Sequence, residues 1–196
     1  MSKKGYLINR INKEECSKIL LKHHYLKDIS KGFKSGINYG LFNLDVLVGV
    51  CIFTGFPVPE LAKGCFGLNR DEQDGLYELS RLCILPETQR DEHNITSWFV
   101  SRCLKKLKKE HNARAVLSYA DCDFHSGIIY KACNFKYYGK TAQKKDFWIL
   151  KNGKYQKHSR GKVKGLEGEW RPRSQKHRYL IIYDKTLKTK WKNNDP

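Results

Sequence analysis

The stretch "SYADCDFHSGIIYKACNF", residues 118–135, sets two acids and a histidine directly after an apolar run. A carboxylate at the end of a buried strand can act as a general base, and Asp121 is the first candidate. Alternatively, Asp121 caps the helix expected to start near Ser126, or orients a neighbour. Asp123 is expected on the exposed side of the loop. Tyr130 falls about one turn into that helix, where it can donate a proton or stack on a base. It can equally be a half-buried tyrosine that packs the helix. His125 can bind a ligand or close the loop.

Two further groups carry chemistry. Glu78 and Arg81 stand in "LYELSRL". A regular strand sends them to opposite faces, so both reach one cleft only if the strand is bulged. Arg81 can hold a carboxylate or phosphate bidentately, or sit in a buried ion pair. His23, His24 and Tyr25 follow the first helical pattern, as site residues or as hydrogen-bonded surface groups.

The elements that must position these residues are legible in outline. "YLINRI" reads as a strand. Asn12 and Glu15 form a capping-box pattern ahead of a helix over 13–23. "NYGLFNLDVLVGVCIFTGF" reads as two strands with a tight turn near Asn43–Asp45. "FPVPELAKGCFGLNRDEQDG" reads as a long loop. "LYELSRLCIL" is a strand, stopped by Pro86. Thr96 can cap a helix whose buried stripe is Phe99, Val100, Cys103, Leu104 and Leu107. "ARAVLSYA" is a buried strand, "SGIIYKACNF" a short helix, and "KYYG", "DFWIL" and Tyr179–Tyr183 are strands.

The chain has 196 residues and a formal net charge of +18, with 40 % hydrophobic residues, enough for a core. Such a charge implies a polyanionic partner, with nucleic acid first. No basic amphipathic helix with a lipid face is evident, and no apolar run reaches membrane-span length. Seven cysteines without a CxxC pair argue against a zinc ribbon and for reduced thiols in a cytosolic protein. Residues 151–196 hold 14 Lys and Arg against 4 Asp and Glu. They read as a basic extension packed on the domain, with a frayed tail after Lys188.

The order strand, helix, polar loop, two strands, strand, long helix, strand, short helix, strand resembles a GNAT-type acyltransferase domain. "GIIYKACNFKYYG" resembles the GNAT segment in which a short helix ends in Asn or Gly plus Phe. More narrowly, the chain resembles the phage Mom family of adenine-modifying proteins. The matching pieces are "HHY", "NYGLF", "LVGVCIF", "ELSRL", "SWFVSRCLKKLKK", "SYAD", "HSGIIYKACNF" and "KHRY", in the family order over most of the chain. One departure bears on loop geometry: the histidine that usually follows a glycine here follows Phe124, and the loop from Asp121 is a residue short.

The expected fold class is therefore α/β, a GNAT-like mixed sheet flanked by helices, with residues 1–150 as the catalytic domain and 151–196 as the basic C-terminal extension. The resemblance implies transfer of a carbamoylmethyl (glycinamide-like) group to adenine N6 in DNA. That modification protects phage DNA from host restriction, in the host cytoplasm. Asp121, Tyr130, His24, Tyr25, Arg81 and Ser118 are the expected catalytic set. Tyr39, Glu78, Ser97, Trp170, Arg171, Arg173, Lys176, His177, Arg178 and Tyr179 are expected to bind substrate, those from Trp170 onward by gripping phosphates. His24, His125 and Asp121 form a candidate two-histidine, one-carboxylate set for iron. Double-stranded DNA is the expected partner; a homodimer is one candidate assembly.

The stretch "PETQRDEHNITSW" argues against coenzyme A as the donor. It has no glycine, and Glu87, Asp91 and Glu92 would repel a pyrophosphate. The donor stays open. Two rivals remain: an acyl-CoA N-acetyltransferase acting on a protein, a small amine or tRNA, and a non-catalytic DNA-binding protein on the same scaffold.

Overall fold

A computed structural model describes residues 3–24, 33–158 and 161–193. β1 (Tyr6–Arg10) leads into α1 (Lys13–His23). Asn12 accepts the Glu15 N–H at 2.9 Å and donates its own N–H to the Glu15 carboxylate at 2.8 Å. That is the capping box expected from the sequence. Cys16, Ile19 and Leu20 of α1 pack with Val50 and Ile52. β2 (Ile37–Asn43) and β3 (Val46–Gly55) form a hairpin, with Leu44 and Asp45 both at positive φ, as a two-residue turn requires.

The segment expected as a long loop contains α2 (Pro59–Phe66). Its proline lies in the first turn, Ala62, Cys65 and Phe66 are buried, and Gly67 closes it at φ 82°. Proline and glycine here mark helix boundaries. β4 (Leu76–Ile84) is followed by α3 (Pro86–Asp91), which the sequence did not suggest, and by α4 (Ile95–His111). Thr96, expected as the α4 cap, lies inside it. Asn94 holds the N-cap position in a left-handed conformation and makes no side-chain cap bond. The remaining elements are β5 (Ala115–Asp121), α5 (Ile128–Ala132), β6 (Lys136–Lys140), β7 (Lys145–Lys151), β8 (Lys154–Lys157), β9 (Gly168–Pro172) and β10 (Lys176–Ile182).

Seven strands make one sheet in the order β1-β2-β3-β4-β5-β10-β6. Its β4–β5 pair is parallel and its other pairs are antiparallel. α4 and α5 cover one face through Phe99, Val100, Cys103, Leu107 and Tyr130. α1 and α2 lie over two further apolar clusters. Between β6 and β10 the chain leaves this sheet and builds a second one, β8-β7-β9. The expected division at residue 150 falls inside β7, and β10 sits between β5 and β6.

Past Lys188, where fraying was expected, the chain binds α2. Lys190 N–H donates to the Cys65 carbonyl at 2.7 Å, and Trp191 packs on Tyr138. All seven cysteines are free thiols, and six are buried. Among the described residues no helix is long and apolar enough to cross a membrane.

Candidate active-site cleft

The parallel pairing of β4 with β5 ends at Leu79 opposite Ser118. The fully buried Ser118 hydroxyl donates to the Leu79 carbonyl at 3.0 Å. It clamps the two strands at the last point where they touch, so its visible task is positioning. Beyond it the strands diverge around a cleft of about 750 Å³.

β4 is bulged at this point. Ile52 pairs with Arg81 and the next residue, Phe53, with Leu79, which leaves Ser80 as the extra residue. The Ser80 hydroxyl bonds to the Ile52 carbonyl at 3.2 Å. The bulge resets the two-residue alternation, and both Glu78 and Arg81 line the cleft. Lys176 of β10, Tyr119 of β5 and His24 at the end of α1 line it with them.

Burial holds Glu78 above the usual carboxylate range, opposed by Lys176, Arg81 and Lys34. Burial pulls Lys176 below the usual lysine range, helped by Arg173 and opposed by Glu78 and Asp121. Burial, then Arg81 and His125, lowers His24 to about 4, so its imidazole is neutral near pH 7. One guanidinium nitrogen of Arg81 donates to the Ser80 carbonyl at 2.6 Å, and its Nε is buried without a hydrogen-bond partner. A buried unpaired donor in a cleft is a ready place for an oxygen of a bound molecule.

The opposite lip is the β5–α5 loop and α5. The Tyr130 hydroxyl reaches the Tyr119 carbonyl at 3.5 Å, and its ring packs on Phe135 and Tyr179. Tyr130 lines the cleft and packs the helix at once. Tyr179 donates to the Ser126 carbonyl at 2.7 Å. Gly127 has φ +77°, and a Cβ there would stand 2.2 Å from the Tyr179 ring. Only glycine fits this approach.

The structure separates several residues that the sequence put together. Asp121 accepts from the Ser174 hydroxyl and, at 3.1 Å, from the Asp123 N–H. It ties β5 to the chain returning from the second sheet and is not on the cleft wall. His24 and His125 both line the cleft, but among the described residues no three His, Cys, Asp or Glu side chains form a group able to hold a metal. The expected iron set therefore does not assemble.

Tyr39 is fully buried, with its hydroxyl on Glu110 at 3.1 Å, and stays away from the cleft. Tyr25 lies outside the described residues. Ser97 lines the cleft from the first turn of α4, donating to the Asn94 carbonyl at 3.1 Å.

The expected phosphate-gripping strip is split in the same way. Trp170 and Arg171 are in β9 of the second sheet and Arg173 directly follows it. Trp170 is exposed, and the Arg171 guanidinium lies over the Trp148 and Tyr155 rings. Lys176 is in the cleft. His177 bonds to the Tyr137 hydroxyl at 3.0 Å, and Arg178 stacks on Trp191 at 4.5 Å. Tyr179 is core. The strand alternation of "KHRYL" held the signal: within a central strand, few of its residues can face a DNA duplex.

At the other end of the cleft stands the N-terminus of α4, with no side-chain cap. Two of the three acids before it are paired: Glu92 with Lys3 at 2.9 Å, and Asp91 with Arg90 at 2.8 Å. Their repulsion of an anion is weaker than the sequence alone implied, and an uncapped helix N-terminus attracts one.

The profile of the Mom protein family matches residues 5–195. No curated protein matches the chain. Among solved structures, a Bacillus subtilis acetyltransferase in complex with CoA is similar at a TM-score of 0.52 and 16 % identity, over 90 % of this chain and 97 % of that one. A GNAT family acetyltransferase from Elizabethkingia anophelis with acetyl-CoA bound is similar at a TM-score of 0.52 and 12 % identity, over 92 % and 99 %. The ribosomal-protein-S18-alanine N-acetyltransferase from Escherichia coli is similar at a TM-score of 0.54 and 10 % identity, over 91 % and 94 %. At such identities the likeness is one of fold, and the fold is GNAT-like.

Proposed function

From the premise that this chain belongs to the Mom protein family, we propose that it is a transferase that adds a carbamoylmethyl group to adenine N6 in double-stranded DNA. The observation that carries this reading is the bulge at Ser80, which turns Glu78 and Arg81 onto one wall beside Lys176. The lone pair of adenine N6 is delocalised into the ring, so the amine is a weak nucleophile and must lose a proton as the new bond forms. Glu78 is the group for that proton, because its carboxyl lines the cleft and burial raises its basicity. Asp121, engaged by Ser174 and the Asp123 N–H, holds the loop. Arg81 offers its unpaired Nε to an oxygen of substrate or donor. As N6 bonds to the carbamoylmethyl carbon, that carbon's bond to the donor's leaving group breaks, and the Tyr130 hydroxyl on the cleft wall is the group proposed to protonate the departing group.

DNA supplies the polyanion that the charge of +18 calls for. The nucleotide must leave the stack to bring N6 into the cleft. The test is expression in a bacterial host followed by nucleoside analysis of its DNA. A deoxyadenosine heavier by a glycinamide-sized group is expected. Unmodified DNA from soluble protein, in the host and during phage infection, overturns the reading.

One observation supports a second reading, an acyl-CoA N-acetyltransferase. The uncapped α4 N-terminus and the paired acids before it fit a pyrophosphate, and two of the structural neighbours hold CoA or acetyl-CoA. In this reading coenzyme A carries the donor group. An acetyl-sized increment on the acceptor, with saturable coenzyme A binding, would favour this reading.

A further inference from the structure

Two large apolar side chains stand in solvent at the mouth of the cleft, Phe124 at 61 % exposure and Ile128 at 73 %. Single exposed apolar residues need no explanation. These two flank one short loop, and that loop is pinned from several sides. The Asp121 carbonyl accepts from Phe124 N–H at 3.1 Å and from His125 N–H at 2.8 Å. Cys122 N–H donates to the Gln175 carbonyl at 3.0 Å, and Tyr179 holds the Ser126 carbonyl at 2.7 Å. Gly127 is pressed on the Tyr179 ring. The scaffold therefore presents Phe124 and Ile128 outward on a fixed base.

The charge around them is complementary to one occupant. Lys176 lies in the cleft, and Lys140 and Arg173 line the recess beside Cys122 and Asp123. Residues 141–175, which carry the second sheet, hold ten Lys and Arg against three Asp and Glu. Asp123 is an exposed acid next to Phe124, and Lys140 and Arg173 in the same recess outweigh it. An apolar pair beside these cations suits a duplex, in which phosphates meet the lysines and arginines and stacked bases meet the apolar side chains.

Resting on the adenine-modifying reading above, we infer that Phe124 and Ile128 form a wedge that enters the base stack at the position vacated by the target nucleotide. Extruding a nucleotide breaks stacking on both sides, and apolar side chains such as Phe and Ile inserted between base steps compensate for it. The extruded adenine then lies in the cleft, next to Glu78.

The test uses the full chain and duplexes of mixed sequence with 2-aminopurine in place of adenine, whose fluorescence rises on unstacking. The wild-type protein is expected to raise the signal. Phe124→Ala/Ile128→Ala should bind the same duplexes within about threefold of wild type, because phosphate contacts dominate affinity. It should lose most of the fluorescence rise. Opposite an abasic site, where extrusion is easier, the variant should regain the rise. Modification of host duplex DNA by the variant should fall about tenfold or more, because extrusion then proceeds without its stacking compensation.

Equal fluorescence from variant and wild type overturns the wedge. So does a bound wild-type protein that gives no rise, or a defect of the same size on paired and abasic targets. A changed oligomeric state of the variant in ultracentrifugation would assign the patch to contact between copies, and also overturns it. Failure of the wild type to bind DNA removes the adenine reading and the wedge together. Extrusion of 2-aminopurine by a protein that leaves host DNA unmodified removes only the assigned chemistry.

Discussion

Glu78 and Asp121 are two carboxylates with different surroundings, and a pair of conservative substitutions separates their roles. Glu78→Gln keeps the shape and removes the base, so DNA modification should fall by about 10²-fold or more. Asp121→Asn keeps an acceptor for the Ser174 hydroxyl and should fall much less, with a lowered Tm as the loop loosens. Equal loss from both would return Asp121 to the chemistry. The pH profile is a second readout. A base works when ionised, so the rate should rise with pH through the Glu78 pKa, which burial puts above the ordinary carboxylate range; Glu78→Gln should lack that limb. Gly127→Ala must adopt a left-handed conformation and meet the Tyr179 ring. The conformation alone costs about 1–2 kcal/mol. Thermal denaturation should show a lower Tm, and the contact should deepen the drop.

At the level of elements, α1 ends at the cleft. Its C-cap is His24, 7 % exposed, with its N–H on the Leu20 carbonyl at 3.0 Å. The folded state holds this imidazole at about 4, against 6.5 for the ordinary group. Between those values the unfolded chain binds more protons, so stability rises with pH across that window. The contribution is fully present above 6.5 and is lost as pH falls toward 4. Arg81 and His125 face His24 and set the sign together with burial. Denaturation midpoints of His24→Gln, measured from neutral to acid, should lack this part of the pH dependence.

At the level of the molecule, the charge of +18 is unevenly spent. Much of it lies on the second sheet, whose Lys151, Lys154 and Lys157 are exposed. Replacing these three with alanine should weaken DNA binding for every sequence and reduce the slope of log K against log salt by about 2–3, near one unit per phosphate contact. Arg178→Ala, by contrast, removes a guanidinium stacked on Trp191. It should lower Tm and leave the salt slope unchanged. Identical salt slopes for the triple variant and wild type would move the DNA surface elsewhere. Host DNA carrying the modification should also resist restriction enzymes with adenine in their sites, and Glu78→Gln should restore cutting.

Local signals were sufficient for elements whose cause is local. The Asn12–Glu15 capping box, the apolar stripe of α4 and the β2–β3 turn could be read directly, because each depends on residues a few positions apart. The set of cleft-lining types was legible too: Glu78, Arg81, His24, Ser97 and Tyr130 were named from sequence and all reach the cleft. What the sequence could not carry was partnership across distance. Asp121 reads from the sequence as a strand-end base, and nothing local announces that Ser174, 53 residues away, donates to its carboxylate. His24, His125 and Asp121 have the chemistry of an iron set, but their side chains do not converge. The basic tail looked continuous, yet β10 is inserted between β5 and β6 and buries one part of it, while the second sheet exposes another. Side-chain type and short spacing are properties of the chain; convergence is decided by strand order and by one bulged residue, which only packing fixes.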